Sequence, residues 1–222
     1  MTPRVLFVGR SRYGLPLEPS TARKWDALGA EFDLRVLASA ADEGERGDAV
    51  FRLVPPAGPA SFYLSLPFRV ARELREFKPD VVVTQSPYEA AAALAACGAV
   101  RSRARVLLEV HGDWQTATRL YGSPLRRLAE PVSERLAEEA VRRAHAVRTV
   151  SPFTTGLVRR LGVEPAATFT TFFDAKAFRA HPPAPLPARP AALFVGVLER
   201  YKDVAGLAAA WRIAAPQLPE AV

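Results

Sequence analysis

The sequence predicts an α/β protein built on a doubly wound, Rossmann-like parallel sheet. Short apolar runs alternate with longer helical patterns along the chain, the arrangement that gives parallel strands joined by helical crossovers. The runs themselves, such as VVVT at 81–84 and RVLLEV at 105–110, are almost wholly apolar, as strands covered on both faces require. Small, polar or aromatic residues follow several of these runs directly.

Val5 to Val8 is the first strand and runs into the loop GRSRYGLPLEP. Thr21 to Leu28 is a helix with Ser20 as its N-cap. Phe32 to Ala38 and Val50 to Val54 are strands, separated by the charged turn ADEGERGD. A helix over 63–77 places Val70, Leu74 and Phe77 on one face, with Pro67 expected to kink or delay its first part. Lys78-Pro79-Asp80 ends it, VVVT is a buried strand, and PYEAAAALAAC is the next helix. RVLLEV leads straight into HGDW. Beyond Trp114, Leu125, Leu128, Ala129, Val132, Leu136 and Ala140 mark the apolar face of a long amphipathic helix. Arg127, Arg135 and Arg142 share another face with Glu134 and Glu138, the pattern of a solvated, salt-bridged surface. Ala146 to Val150 is a strand, and Ser151 opens the helix SPFTTGLVRRLG.

The proline-rich stretch HPPAPLPARP (181–190) is a semi-rigid linker after a first domain of residues 1–180. From 191 onward, a strand ALFVGVL and a helix near 204–214 resemble the first unit of a second α/β domain. Thirty-odd residues are too few for a domain, so this one is expected to be truncated.

Composition narrows the function classes. The net charge is +7, but only four of the thirty basic residues are lysines, and the arginine, alanine and proline richness reads as a base-composition bias. With no aromatic-interleaved basic stripe, nucleic acid is not an expected partner, whereas phosphate-bearing ligands are compatible. No apolar run is long enough to span a bilayer. The start, MTPRVLFVGRSR, reads as a buried strand and not as a secretion signal, which points to the cytoplasm. The single cysteine, Cys97, excludes an intramolecular disulfide and reads as a buried small hydrophobe in a reducing compartment. Three histidines and one cysteine show no metal-ligand spacing. The first loop matches neither GxGxxG nor GxxxxGK[ST], which disfavours a dinucleotide-binding oxidoreductase.

In an open parallel sheet, ligands bind along the edge formed by the carboxyl ends of the strands. The candidate residues there are Gly9 to Gly14, Thr84 to Ser86, His111 to Trp114 and Ser151. Gly9 and Gly14 allow close backbone approach by a ligand, or simply make a tight turn. His111 follows an apolar strand directly. It suits hydrogen bonding to a sugar hydroxyl, charge near a phosphate, or plain capping of the strand end. Glu109 and Asp113 are disfavoured as an acid/base pair, because strand alternation is expected to turn Glu109 away from the neighbours of His111. His145 closes a helix, where it suits the negative end of the dipole, and His181 begins the linker.

Three stretches together resemble glycosyltransferase family 4, whose members have the two-domain GT-B fold. They are the junction RVLLEVHGDW (105–114), TVSPFTTGLVRRLGV (149–163), and LFVGVLERYKDVAGLAAAW (193–211); the helix ending ARKWDALG agrees in placement. The resemblance implies a retaining transfer of a sugar from a nucleotide-sugar co-substrate, with no cofactor or metal. It makes residues 1–180 the acceptor side, for a glycan, lipid or small-molecule acceptor; peripheral contact at the cytoplasmic membrane face is compatible with the basic charge. His111 matches the cleft histidine that contacts the transferred sugar. Gly14 matches the first loop facing the donor phosphates, and Lys202 the lysine that neutralises the donor diphosphate. Gly9, Ser86, Asp113, Trp114 and Ser151 are expected to line the cleft. Two positions depart from the family pattern: Val197 stands where an arginine is usual, and Asp203 where a glycine is. The paired glutamates that hold the donor are expected downstream of residue 222, so residues 1–222 are expected to turn over little or nothing.

Overall fold

The computed structural model describes residues 2–43, 47–56, 58–115, 124–173, 175–196, 198 and 200–220. The chain divides into two compact units, Met1–Trp114 with Leu128–Phe172, and Gln115–Arg127 with Phe173–Val222.

The first unit is a seven-stranded parallel sheet. Its strands are β1 (Arg4–Tyr13), β2 (Asp33–Ala40), β3 (Phe51–Val54), β4 (Val81–Thr84), β5 (Arg105–Val110), β6 (Ala146–Thr149) and β7 (Ala167–Thr168), in the order β3-β2-β1-β4-β5-β6-β7. The helices are α1 (Pro19–Glu31), α2 (Pro59–Glu76), α3 (Pro87–Val100), α4 (Pro124–Arg143) and α5 (Pro152–Arg159). Leu6, Val8, Val82, Val106, Leu108 and Val147 bury one sheet face beneath α2, α3, α4 and α5. The other face, with Val5, Val36, Ala38 and Val83, packs on Trp25 of α1. Helices thus lie on both faces, and the doubly wound sheet is as predicted. The strand order reverses between β1 and β4, which makes their carboxyl ends the switch-point crevice of the sheet.

Several local expectations are corrected. β1 does not stop at Val8: after an irregularity it pairs Arg12 with Ser39 and Tyr13 with Ala40, so the first part of the expected loop is strand. The reason is packing, since the Tyr13 ring lies against Trp25 and Phe51. α1 begins at Pro19 with Glu18 as N-cap, so Ser20 lies inside the helix; the fixed φ of proline suits the first helical position. The same device starts α2 at Pro59, four residues early, and the helix carries Pro67 in its interior. The missing N–H costs one bond, while Phe62, Leu66 and Val70 around it are fully buried and hold the helix in place.

α4 is rotated from its expected face. Val132 and Leu136 are exposed, and Ala137, Ala140 and Val141 form the buried stripe. Small side chains let a helix approach a sheet closely, whereas an apolar pattern read alone favours the largest residues. The side chains of Leu125, Arg127, Leu128 and Ala129 lie outside the described residues. Arg142 pairs with Glu138 at 3.3 Å, as the interleaved charges suggested. Cys97 is buried and burial pushes its thiol up, in keeping with an inert hydrophobe. His145 follows the end of α4 closely; its Nδ1 accepts the Val106 N–H at 3.1 Å and its backbone N–H donates to Val106 O, which ties β5 to the start of β6.

The second unit contains α6 (Lys176–Arg179), a 3-10 turn over Arg200–Lys202, and α7 (Val204–Ala214), capped by Asp203, whose carboxylate accepts from Gly206 N–H at 3.2 Å. α7 falls where the sequence placed it. The expected strand ALFVGVL is not formed among the described residues, and Leu193, Val195 and Leu198 are exposed. A strand needs a partner for its backbone groups. Val197 lies outside the described residues.

Candidate functional site at the carboxyl edge of the sheet

The carboxyl ends of β1, β4, β5 and β6 carry the candidate residues of the first unit. Gly9 lies within β1, and a Cβ there would overlap the side chain of Gln85, which lies across it. Gln85 Oε1 in turn accepts from Ser11 Oγ at 3.0 Å, so the ends of β1 and β4 are laced together. Gly14 follows β1 directly. Ser86 is the N-cap of α3, and Ser151 caps α5 through a complete capping box with Thr154. Trp114 is buried, and Asp113 is half-buried.

His111 is held on both sides. Its Nε2 lies 3.2 Å from Glu109 Oε2, and its Nδ1 lies 3.4 Å from Thr171 Oγ1. Glu109 therefore faces the same way as His111, a partner not considered when it was weighed against Asp113. Residues two apart along a strand share a face, and β5 keeps its strand geometry up to Val110. Opposite Glu109 in the register of β6 is Arg148, a buried arginine whose Nη1 donates to Glu109 Oε1 at 2.6 Å. Arg148 Nη2 donates to Phe169 O and Thr170 O, and the guanidinium stacks 3.8 Å from the centre of the Phe169 ring. Burial would raise the Glu109 pKa, but the bond from His111 and the charge and bond of Arg148 outweigh it and hold the carboxyl below its ordinary value.

A buried carboxyl lies at the switch point. Glu89, 2% exposed on the first turn of α3, accepts from Tyr63 OH at 3.1 Å and from Ser86 Oγ. Burial pushes its pKa up to about 7, against the opposing pull of Tyr63 and of Arg10 on β1. Tyr63 moves up too, through burial and then the charge of Glu89. The folded state therefore binds more protons than the unfolded chain between about pH 4.5 and 7, and stability falls with rising pH across that window. The total is on the order of 3 kcal/mol. Glu89→Gln is expected to flatten this slope and to leave the protein at least as stable as wild type at pH 8. Urea unfolding of both at pH 5 and pH 8 measures it; equal slopes would contradict it.

Lys202, in the second unit, ends the 3-10 turn and is exposed, with Asp203 beside it in sequence. Among the described residues no three His, Cys, Asp or Glu side chains converge in a way that would hold a metal ion. No described helix is long and apolar enough to cross a membrane. Glu89, Tyr63, Arg148 and Thr171, which the structure brings to this edge, were not among the sequence candidates. The spacing of Ser86 and Glu89, a capping-box pattern, was a legible signal for the first; Arg148 and Thr171 are set by strand register, which the sequence does not reveal.

Comparison with known proteins bears on this geometry. A family model described as a glycosyl transferase 4-like domain matches residues 19–171. No curated protein matches the sequence. Among solved structures, sucrose-phosphate synthase from Thermosynechococcus elongatus is 13% identical, with a TM-score of 0.62 over 98% of this chain and 61% of that one. The lipopolysaccharide outer core galactosyltransferase WaaB is 12% identical, with a TM-score of 0.56 over 99% of this chain and 67% of that one. A UDP-N-acetylglucosamine 2-epimerase from Rickettsia bellii is 12% identical, with a TM-score of 0.50 over 77% of this chain and 44% of that one. At these identities the likeness is one of fold, and it spans transferases and an epimerase. The chain spans from under half to two thirds of the length of these structures.

Proposed function

Because the chain belongs to the glycosyl transferase 4-like family, we propose that its first unit is the acceptor side of a retaining glycosyltransferase that uses a nucleotide-sugar donor. The observation that carries this reading is His111, standing at the carboxyl end of β5 with its ring held between Glu109 and Thr171. A sugar is recognised through hydroxyl groups, and a side chain fixed before binding loses little freedom on contact. Of the other expected cleft residues, Ser86, Asp113 and Ser151 offer hydroxyls and a carboxylate along one sheet edge, whereas Gly9 lies beneath Gln85 and Trp114 packs in the core.

On the donor side, Lys202 is the group proposed to meet the diphosphate. As the sugar leaves, the nucleoside diphosphate gains negative charge, and a fixed ammonium favours that change without a metal. Val197 in place of arginine removes a bidentate phosphate donor, and Asp203 sets a carboxylate beside the lysine, so the phosphate grip of this chain is weak. Residues 1–222 are therefore expected to bind an acceptor and to transfer almost nothing. Incubation with a panel of nucleotide sugars and glycan, lipid and small-molecule acceptors, read by mass spectrometry, tests this. Background-level product is expected, and ordinary enzymatic turnover would contradict it.

A further inference from the structure

The contacts around His111 form a closed circuit. Glu109 meets Nε2, and Arg148 pairs with Glu109 across the strands. The same guanidinium holds the carbonyls of Phe169 and Thr170, and the next residue, Thr171, returns to Nδ1. All of these groups belong to the first unit. The carboxylate of Glu109 only accepts hydrogen bonds, so the bond it makes to Nε2 places a proton there. In a neutral imidazole the other nitrogen is then an acceptor, and the Thr171 hydroxyl donates to it. This second bond is the long one, at 3.4 Å, and both of its partners are exposed. The Glu109 side is the shorter of the two, at 3.2 Å, half-buried and braced by a buried arginine.

We propose that Glu109, braced by Arg148, is a positioning residue that fixes His111 as its Nε2–H tautomer, so that Nδ1 accepts a hydrogen bond from a ligand hydroxyl that takes the place of Thr171. His111 is thereby a reader of hydroxyl groups. A phosphate oxygen without a proton has nothing to donate to Nδ1, so of the two ligand chemistries open to this histidine the circuit selects the sugar. The identification of the hydroxyl as a sugar's rests on the function proposed above; the tautomer does not.

The test is a long-range proton–nitrogen correlation spectrum of the uniformly nitrogen-15-labelled 222-residue chain at pH 7.5. His111 is assigned by its loss in His111→Gln, which is straightforward with three histidines in the sequence. The expected result is a protonated Nε2 and a bare Nδ1, converted to a mixture of tautomers in Glu109→Gln and preserved in Thr171→Val. A tautomer that Glu109→Gln leaves unchanged, or a His111 protonated on both nitrogens in the wild type, would overturn the proposal. Should Glu109→Gln not fold, the wild-type and Thr171→Val spectra still decide whether Nδ1 is bare. Adding methyl hexopyranosides, and separately dimethyl phosphate, a diester with no proton to donate at this pH, addresses the occupant. A hexopyranoside is expected to shift Nδ1 and the diester is not. A shift with the diester alone, or with neither, overturns the hydroxyl ligand while the tautomer result stands or falls by itself.

Discussion

Arg148→Met is expected to destabilise the first unit by about 3 kcal/mol, because it leaves a half-buried carboxylate without its cation. Arg148 is 7% exposed, donates to Glu109 at 2.6 Å and satisfies two backbone carbonyls at once. Methionine fills much of the same volume, so the loss is electrostatic more than steric. The effect should depend on pH with a defined sign. Glu109 is held below its ordinary value, so its share of stability is present above the unfolded carboxylate range and lost as pH falls through the lower folded value. The gap between wild type and Arg148→Met in urea unfolding is therefore expected to be wide at pH 7 and narrower near pH 3. Replacing both partners, as Glu109→Leu with Arg148→Met, is expected to recover much of the loss, since an apolar pair leaves no uncompensated charge. A gap that does not change with pH would mean that the arginine acts through packing alone.

Trp25→Ala is expected to be at least as damaging, at about 4 kcal/mol. Trp25 is buried and makes edge contacts with Phe7, Tyr13 and Phe51 at ring distances of 5.1, 6.1 and 5.7 Å. Such pairs add to the area that the indole buries. For a chain of this size the loss corresponds to a fall in Tm of about 10 °C, readable by circular dichroism. It should also loosen the distal part of β1, where Tyr13 packs on the indole and pairs with Ala40. Faster amide exchange at Arg12 and Tyr13 than at Leu6 would locate the damage there, and Trp25→Phe should restore part of it.

The same residues mark how much the sequence disclosed. The parallel sheet was legible because its central strands are short and apolar, and each is followed by a long helical pattern. His111 was legible as a candidate because it breaks an apolar run at the carboxyl end of a strand. The braces around it were not. Arg148 reads as one more arginine in an arginine-rich chain, and only the register of β6 against β5 sets it opposite Glu109. Glu109 was weighed only against Asp113, beyond the strand, and its contact with His111, two residues away, was not considered. The face of α4 was misread for a different reason: a stripe of alanines packs more closely than a stripe of leucines, and hydrophobic periodicity ranks them the other way. The ALFVGVL segment has the composition of a strand, yet strand formation depends on a partner that composition does not supply.

The central claim is that the carboxyl edge of the first unit binds the sugar-bearing ligand. Backbone amide shift mapping of the 222-residue chain, titrated with nucleotide sugars and hexopyranosides, tests it most directly. Binding at this edge predicts shifts at Gly9, Ser86, Gly112, Asp113 and Ser151. Shifts confined to the opposite edge, around Arg4, Asp80 and Ala104, or no shifts with any member of the panel, would contradict it.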